Sequence, residues 1–120
     1  MAKILVVDDE RAIRNTLKDI LEFEGYTIDL AENGKVGLEK ALANTYDLIY
    51  TDIKMPEMDG LEMLHAYRHA VKENGTEESP VVMISGHGTV ETAVDALKNG
   101  AFDFIVKPLD LNRLLLTTKH

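Results

Sequence analysis

Four charged side chains that can handle phosphate or a metal ion stand directly after apolar runs of the sequence. Asp52 ends one run, Asp8 and Asp9 follow another, and Lys107 follows a third. Apolar runs of this length, closed by turn residues, are typical of buried strands. Open α/β sheets place their active sites at the carboxyl ends of such strands. We therefore predict that three carboxylates and one ammonium group converge at one edge of a sheet.

Each of these residues also has an ordinary structural interpretation. Carboxylates such as Asp8 and Asp9 favour helix N-termini, and a lysine such as Lys107 commonly extends along apolar surface to reach water. Against this, two charges about 4 Å apart repel by about 4 kcal/mol at an effective dielectric constant of about 20, so a cluster that includes Asp52 favours a cation. Oxygen ligands select Mg²⁺ or a similar ion, which also accepts phosphate. The X-Pro bond before Pro108 can be cis and would then direct Lys107 inward.

Composition narrows the class of protein. With 120 residues, 45% hydrophobic and 28% charged, the sequence fits one soluble domain with one core. No apolar run reaches the roughly 20 residues of a membrane span, and the start lacks the pattern of a secretory signal. The absence of cysteine fits a cytoplasmic protein. A net charge of -8 argues against direct nucleic-acid binding by this domain.

Strand and helix patterns alternate five times, which predicts an α/β fold with a single doubly wound, five-stranded parallel sheet. The predicted strands cover residues 4–7, 26–31, 47–52, 80–85 and 102–106. The predicted helices cover residues 10–24, 36–42, 61–71 and 89–99, with a last helix from residue 110. Thr89 and Asp110 are the expected N-caps, and residues 72–79 are expected to form a surface loop. The strand 26–31 alternates in polarity, which favours an edge position.

Several other residues are consistent with ordinary structural roles. Ser85 is a strand-end hydroxyl and Phe104 fits a core position. The turn Gly86-His87-Gly88 has neither the P-loop nor the dinucleotide-binding spacing. The four histidines show no metal-ligand spacing, and no Ser-His-Asp or Cys-His order is present.

With these residues in place, the whole sequence resembles the receiver domain of two-component response regulators. The resemblance rests on four motifs, which are Val6-Val7-Asp8-Asp9-Glu10, Asp52 with Met55-Pro56 and Met58-Asp59-Gly60, Ser85-Gly86, and Lys107-Pro108. Within the family, Ser85-Gly86-His87-Gly88-Thr89, Thr92-Ala93-Val94 and Gly100-Ala101-Phe102-Asp103-Phe104 are similar to the NtrC-like class that activates sigma-54-dependent transcription. The resemblance implies the strand order 2-1-3-4-5. Residues 1–120 would then be a receiver domain, with the output domains of a longer regulator following it.

The resemblance also implies a role for each site residue. Asp52 would be the phosphoacceptor, and Lys107 would bind the phosphoryl group. Mg²⁺ would be held by Asp9 directly, by Asp8 mostly through water, by Asp52, and by the main-chain carbonyl of Lys54. The switch residues, a hydroxyl and an aromatic side chain in this family, would be Ser85 and Phe104.

The expected partner is a sensor histidine kinase, whose phosphohistidine donates the phosphoryl group to Asp52. Phosphorylation would then change the surface of the fourth helix, fifth strand and fifth helix, and promote self-association there. Two other functions remain open: a Mg²⁺-dependent phosphohydrolase with an aspartyl-phosphate intermediate, and an interaction module that is never phosphorylated. Against the first, Lys54 stands where such hydrolases place a second acidic residue.

Overall fold

The computed structural model describes residues 2–86 and 90–119. Strands and helices alternate throughout this part of the chain. The strands are β1 Lys3–Val7, β2 Thr27–Ala31, β3 Leu48–Asp52, β4 Val81–Ser85 and β5 Asp103–Val106. The helices are α1 Arg11–Phe23, α2 Gly34–Ala43, α3 Gly60–Asn74, α4 Val90–Lys98 and α5 Leu111–Lys119. Each predicted element is present, with ends shifted by a few residues at most.

The five strands form one parallel sheet in the order β2-β1-β3-β4-β5. This confirms the predicted fold class and the edge position of β2. The register aligns Val7 of β1 with Thr51 of β3, so Asp8 and Asp52 are the next residues on adjacent central strands. The strand order reverses between β1 and β3, and this is the point at which doubly wound sheets bind ligands.

The sheet has a hydrophobic layer on each face, as expected for parallel strands covered by helices. On one face, buried side chains of the strands pack with Met63, Leu64 and Tyr67 of α3. On the other face, they pack with Leu17 and Leu21 of α1 and with Leu114 of α5. Every residue of β3 is buried, including Asp52 at its carboxyl end.

The helix ends follow local sequence signals. Asp59 accepts a hydrogen bond from the backbone amide of Glu62, whose side chain accepts one from the Asp59 amide, so α3 begins with a capping box. Asp110 accepts a hydrogen bond from the Asn112 amide and so caps α5 as predicted. The helix α3 extends through Asn74 and ends at Gly75, whose φ is 64°. The prediction that a loop starts at Lys72 was therefore wrong, because the polar last turn of α3 lies on the surface and shows no apolar periodicity.

The periodic apolar residues of α4 are not its buried residues. Val90, Val94 and Leu97 are exposed, and the buried residue of this helix is Ala96. Leu111 of the predicted α5 stripe is also exposed, whereas Leu114 is buried. The predicted cap Thr89 and the turn residues His87 and Gly88 lie outside the described residues.

Within residues 2–86 and 90–119, none of the helices combines the length and the apolar character needed to cross a membrane.

Candidate functional site at the carboxyl edge of the sheet

Two buried carboxylates lie side by side at the ends of β1 and β3. Asp8 and Asp52 are both buried, at 1% and 7% relative exposure. One oxygen of each is held by a nearby backbone amide: Asp8 Oδ1 accepts from Glu10 at 2.9 Å, and Asp52 Oδ1 accepts from Ile53 at 2.8 Å. The second oxygen of each carboxylate is therefore oriented away from its own loop and toward the space between the strands.

Lys107 supplies the positive charge between these two carboxylates. Its Nζ lies 3.2 Å from Asp8 Oδ2 and 3.3 Å from Asp52 Oδ2. Lys107 follows β5, and its backbone amide donates to the Ser85 carbonyl of β4, which fixes the start of this loop beside the site. The Lys107-Pro108 peptide bond is cis, in agreement with the expected inward direction of the ammonium group.

Burial and neighbouring charges shift the acid–base properties of all three groups. Burial raises the pKa of Asp8 above its usual range, more than the Glu10 amide and Lys107 lower it. Burial, and then the charge of Asp8, raise the pKa of Asp52 in the same way. Burial alone would lower the pKa of Lys107, but the two carboxylates outweigh it and leave this pKa raised. The site thus holds more negative charge than a single ammonium group can balance.

The side chains at the start of the β1–α1 loop fit a hard cation. Asp8, Asp9 and Glu10 each place one carboxylate oxygen within 4.8 Å of the others. Asp8 Oδ2 is buried, and apart from its ion pair with Lys107 it accepts no hydrogen bond from the residues described here. Mg²⁺ binds oxygen ligands of this kind and retains several waters. The donor set therefore suits Mg²⁺.

Glu10 also belongs to this cluster, although it was not predicted as a site residue from the sequence. Its Oε1 lies 3.7 Å from Lys107 Nζ, on an exposed side chain. Its position directly after Asp8-Asp9 was the available signal. The predicted ligands Asp52 and Lys54 do not belong to the oxygen cluster of Asp8, Asp9 and Glu10, so their roles as ligands stay predictions.

The loop from β3 to α3 is held tightly against Asp52. The amide of Gly60 donates to the Ile53 carbonyl at 2.7 Å, and a Cβ atom at Gly60 would lie 2.2 Å from the Asp52 carbonyl oxygen. Lys54 lies within this loop, and Glu57 adopts a φ of 67°, which is unusual for a residue with a side chain. Only glycine at position 60 leaves room for this close approach of two backbone segments.

The two predicted switch residues lie on the strands between Asp52 and Lys107. Ser85 is buried at the end of β4, the strand that pairs with β3. Phe104 of β5 is partly buried and packs against the core beside its register partner Met83. Their roles as switch residues stay predictions.

Fold and site together define a doubly wound α/β domain with an acidic, lysine-bridged site at its topological switch point. The sequence matches the family model described as the response regulator receiver domain over residues 4–119. The chain belongs to this family. It is a receiver domain of two-component response regulators, which are phosphorylated by sensor histidine kinases.

Known relatives come from more than one kind of regulator. The chain is 44% identical over 119 residues to the nitrogen assimilation regulatory protein NtrX of Azorhizobium caulinodans, covering 98% of this chain and 25% of that protein. It is 41% identical over 115 residues to the response regulator ArlR of Staphylococcus saprophyticus, covering 96% of this chain and 50% of ArlR. The solved structure of the chemotaxis protein CheY4 of Vibrio cholerae has a TM-score of 0.87 and 33% identity, covering 99% of this chain and 97% of CheY4. The chain thus spans a quarter to a half of these two curated relatives.

Proposed function

We propose that Asp52 is the phosphoacceptor of this receiver domain. The observation that carries the proposal is the pairing of its buried Oδ2 with Lys107 Nζ at 3.3 Å, beside the buried Asp8 Oδ2 that Lys107 also contacts. An ammonium group at this distance can neutralise charge on the oxygens of a transferring phosphoryl group. Asp9 and Glu10 are exposed, and Glu10 reaches Lys107 only from this exposed position, at 3.7 Å.

In the proposed step, a carboxylate oxygen of Asp52 forms a bond to the phosphorus of a partner phosphohistidine. The phosphorus–nitrogen bond breaks, and the imidazole nitrogen takes up a proton and leaves as the neutral ring. Bound Mg²⁺, held by Asp8, Asp9 and Asp52 with the Lys54 carbonyl, would supply charge neutralisation at the phosphoryl oxygens. In dephosphorylation, water attacks the phosphorus of phosphorylated Asp52. The products are the Asp52 carboxylate and inorganic phosphate. The domain thus catalyses only its own phosphorylation and dephosphorylation, and the family match does not favour a turnover hydrolase.

The test is intact mass after incubation with Mg²⁺ and acetyl phosphate as the phosphodonor. The parent chain is expected to gain the mass of one phosphoryl group, and Asp52→Asn is expected to gain none. Asp9→Asn, which keeps Asp52 but removes an exposed carboxylate of the metal cluster, is expected to require a higher Mg²⁺ concentration for the same gain. A phosphoryl group on Asp52→Asn would show that another residue is the acceptor.

The surface that responds to phosphorylation is proposed to be the one formed by α4, β5 and α5. Seven of the nine exposed large hydrophobic residues of the described chain lie in these elements or the turn before β5: Val90, Val94, Leu97, Phe102, Val106, Leu111 and Leu116. Apolar residues grouped in this way mark interaction surfaces. We propose that this surface binds a second copy of the chain when Asp52 is phosphorylated, and so controls a sigma-54-dependent transcription output in a longer regulator.

Ser85 and Phe104 are proposed to connect the site with this surface. Ser85 would hydrogen-bond a phosphoryl oxygen on Asp52, and Phe104 would turn into the space that Ser85 leaves. Because the core is closely packed, such a change moves between discrete arrangements. Sedimentation velocity with and without beryllium fluoride, a phosphoryl mimic, tests the result.

A matched pair of variants identifies the surface that self-associates. We expect Val94→Ser to remain monomeric with the mimic, because it removes an exposed apolar side chain from α4. Phe23→Ser is the control, since Phe23 is exposed but lies at the end of α1. Loss of association in the control but not in Val94→Ser would place the interface elsewhere.

A further inference from the structure

A long side chain of α3, Arg68, contacts the C-terminal end of α4. Its Nη1 donates to the carbonyl oxygen of Asn99, the residue that follows α4, at 3.0 Å. Its Nε contacts the Glu78 carboxylate in the segment that leads to β4. Arg68 thus joins α3, the segment before β4 and the turn after α4.

The turn that follows α4 is shaped to receive this guanidinium group. Gly100 has a φ of 99°, and its amide and that of Ala101 donate to the carbonyls of Leu97 and Ala96. This is a Schellman ending, in which the left-handed residue is commonly glycine. A Cβ atom at Gly100 would lie 1.9 Å from Arg68 Nη1. The guanidinium group therefore lies directly against the turn, in the space that a side chain at position 100 would need.

The packing of α4 comes from small residues. Ala96 is buried and Thr92 and Ala93 are half-buried, whereas the larger Val90, Val94 and Leu97 are exposed. A cavity of about 630 Å³ separates α3 from the end of α4, with Arg68 and Lys72 on one side and Lys98 on the other. The one fully buried residue of α4, Ala96, and the contact with Arg68 thus both lie near its C-terminal end.

We propose that Arg68 is a positioning residue of the switch: it fixes the C-terminal end of α4, so that phosphorylation of Asp52 turns α4 about residues 99 and 100. When a rigid helix turns about one end, its displacement is largest at the other end. The change should therefore be concentrated near Val90 and Val94, which lie in the proposed interaction surface. The turning of α4 rests on the proposed phosphorylation of Asp52. The contact between Arg68 and Asn99 is independent of it.

Amide hydrogen exchange tests the contact in the unphosphorylated protein. Arg68→Met is expected to increase exchange in residues 95–101 about fivefold, the factor that corresponds to one net hydrogen bond of about 1 kcal/mol. Exchange in α1 should stay unchanged. Lys72→Met is the matched control, because it removes a cation from the same cavity without a contact to Asn99. Equal exchange in Arg68→Met and the parent would overturn the proposal.

A second measurement separates a pivot from a general stabilising contact. In the parent, beryllium fluoride is expected to change exchange in residues 90–94 and to leave residues 97–101 within twofold. In Arg68→Met the change is expected to spread over the whole helix. Glu78→Gln, which weakens the support of Arg68 but keeps its bond to Asn99, should give an intermediate result. If beryllium fluoride changed amide exchange equally at both ends of α4 in the parent, the pivot would be refuted. If the parent gained no mass from acetyl phosphate, the role of Asp52 as acceptor would be refuted instead.

Discussion

Replacing Asp8 with asparagine should stabilise the fold when no divalent metal is present. Asp8 Oδ2 and Asp52 Oδ2 both contact the same ammonium nitrogen, so they lie at most about 6.5 Å apart. At about 6 Å and an effective dielectric constant of about 20, two such charges repel by about 3 kcal/mol. The attraction between Asp8 and Lys107 at 3.2 Å amounts to about 5 kcal/mol on the same scale. Charge interactions alone would therefore favour ionised Asp8.

Desolvation reverses this balance. Removing a carboxylate from water carries a penalty of several kcal/mol, and burial is the largest cause of the raised pKa of Asp8. A raised pKa means that the folded protein disfavours the charged form overall. Asparagine keeps the oxygen that accepts from the Glu10 amide and removes the charge. We expect Asp8→Asn to raise the free energy of unfolding by about 1–2 kcal/mol at pH 7 in chelator, or Tm by roughly 4–10 °C.

The pH dependence has a definite sign. Because the pKa of Asp8 is raised on folding, the folded state binds its proton more tightly than the unfolded state. The parent therefore gains stability as the pH falls from 7 through the folded pKa, and this gain is complete below the unfolded pKa. Asp8→Asn lacks this gain, so its advantage should shrink on acidification. Magnesium should also reduce the stability difference between Asp8→Asn and the parent, by about 1.4 kcal/mol at a concentration of ten times the parent's Kd.

Urea unfolding in chelator at pH 7 and at lower pH measures these differences. Asp9→Asn is the control: Asp9 is the adjacent carboxylate but is exposed, so its change should stay within about 0.5 kcal/mol. If Asp8→Asn instead loses more than about 1 kcal/mol in chelator, the ion pair with Lys107 exceeds the penalty of burial. The reasoning about the charge balance of this site would then be wrong.

Three further changes test the positioning of the site and of the sheet. Gly60→Ala should lower stability by about 2–3 kcal/mol in urea unfolding and slow phosphorylation, because its Cβ would overlap the Asp52 carbonyl; an unchanged protein would mean that this loop adjusts freely. Glu57→Gly should raise the free energy of unfolding by about 0.5–1 kcal/mol, since glycine adopts a positive φ without strain; a clear loss would indicate a contact of the Glu57 side chain. Tyr46→Phe removes a 2.7 Å hydrogen bond to Asp29 that lowers the pKa of this carboxyl, so it should lose about 1 kcal/mol at pH 7. The stabilisation from a lowered pKa is complete above the unfolded pKa and disappears as the pH falls through the folded pKa, so this loss should diminish at acid pH, and an equal loss at pH 7 and at acid pH would exclude the ionic contribution.

The sequence predicted the sheet well because β1, β3 and β5 carry apolar runs that end in charged residues, β4 is a continuous apolar run, and β2 alternates in polarity. Parallel order then placed Asp8 and Asp52 together. The same reasoning could not show that Lys107 bridges both carboxylates, since this depends on the reach of a flexible side chain.

Local patterns were least informative where small residues form the contact. In α2 the buried positions include Gly34 and Gly37, and a Cβ atom at Gly37 would meet Val7 at 2.8 Å. The bulkier Leu42, part of the predicted stripe, is exposed. In α4 the buried residue is likewise a small one, Ala96. Close approach of a helix selects small side chains, and these give no apolar periodicity.

The charge of the site and the movement of α4 are linked energetically. Phosphorylation of Asp52 would exchange one negative charge for about two, so Lys107 would be drawn from Asp8 toward the phosphoryl group. Asp8 would then lose its balancing charge and depend more on a bound cation, which couples metal affinity to phosphorylation in both directions. A switch driven by such an exchange has only a few kcal/mol available, and it can move only an element that is weakly held. With one buried residue and one end attached by Arg68, α4 meets that condition, whereas the fully buried β3 does not.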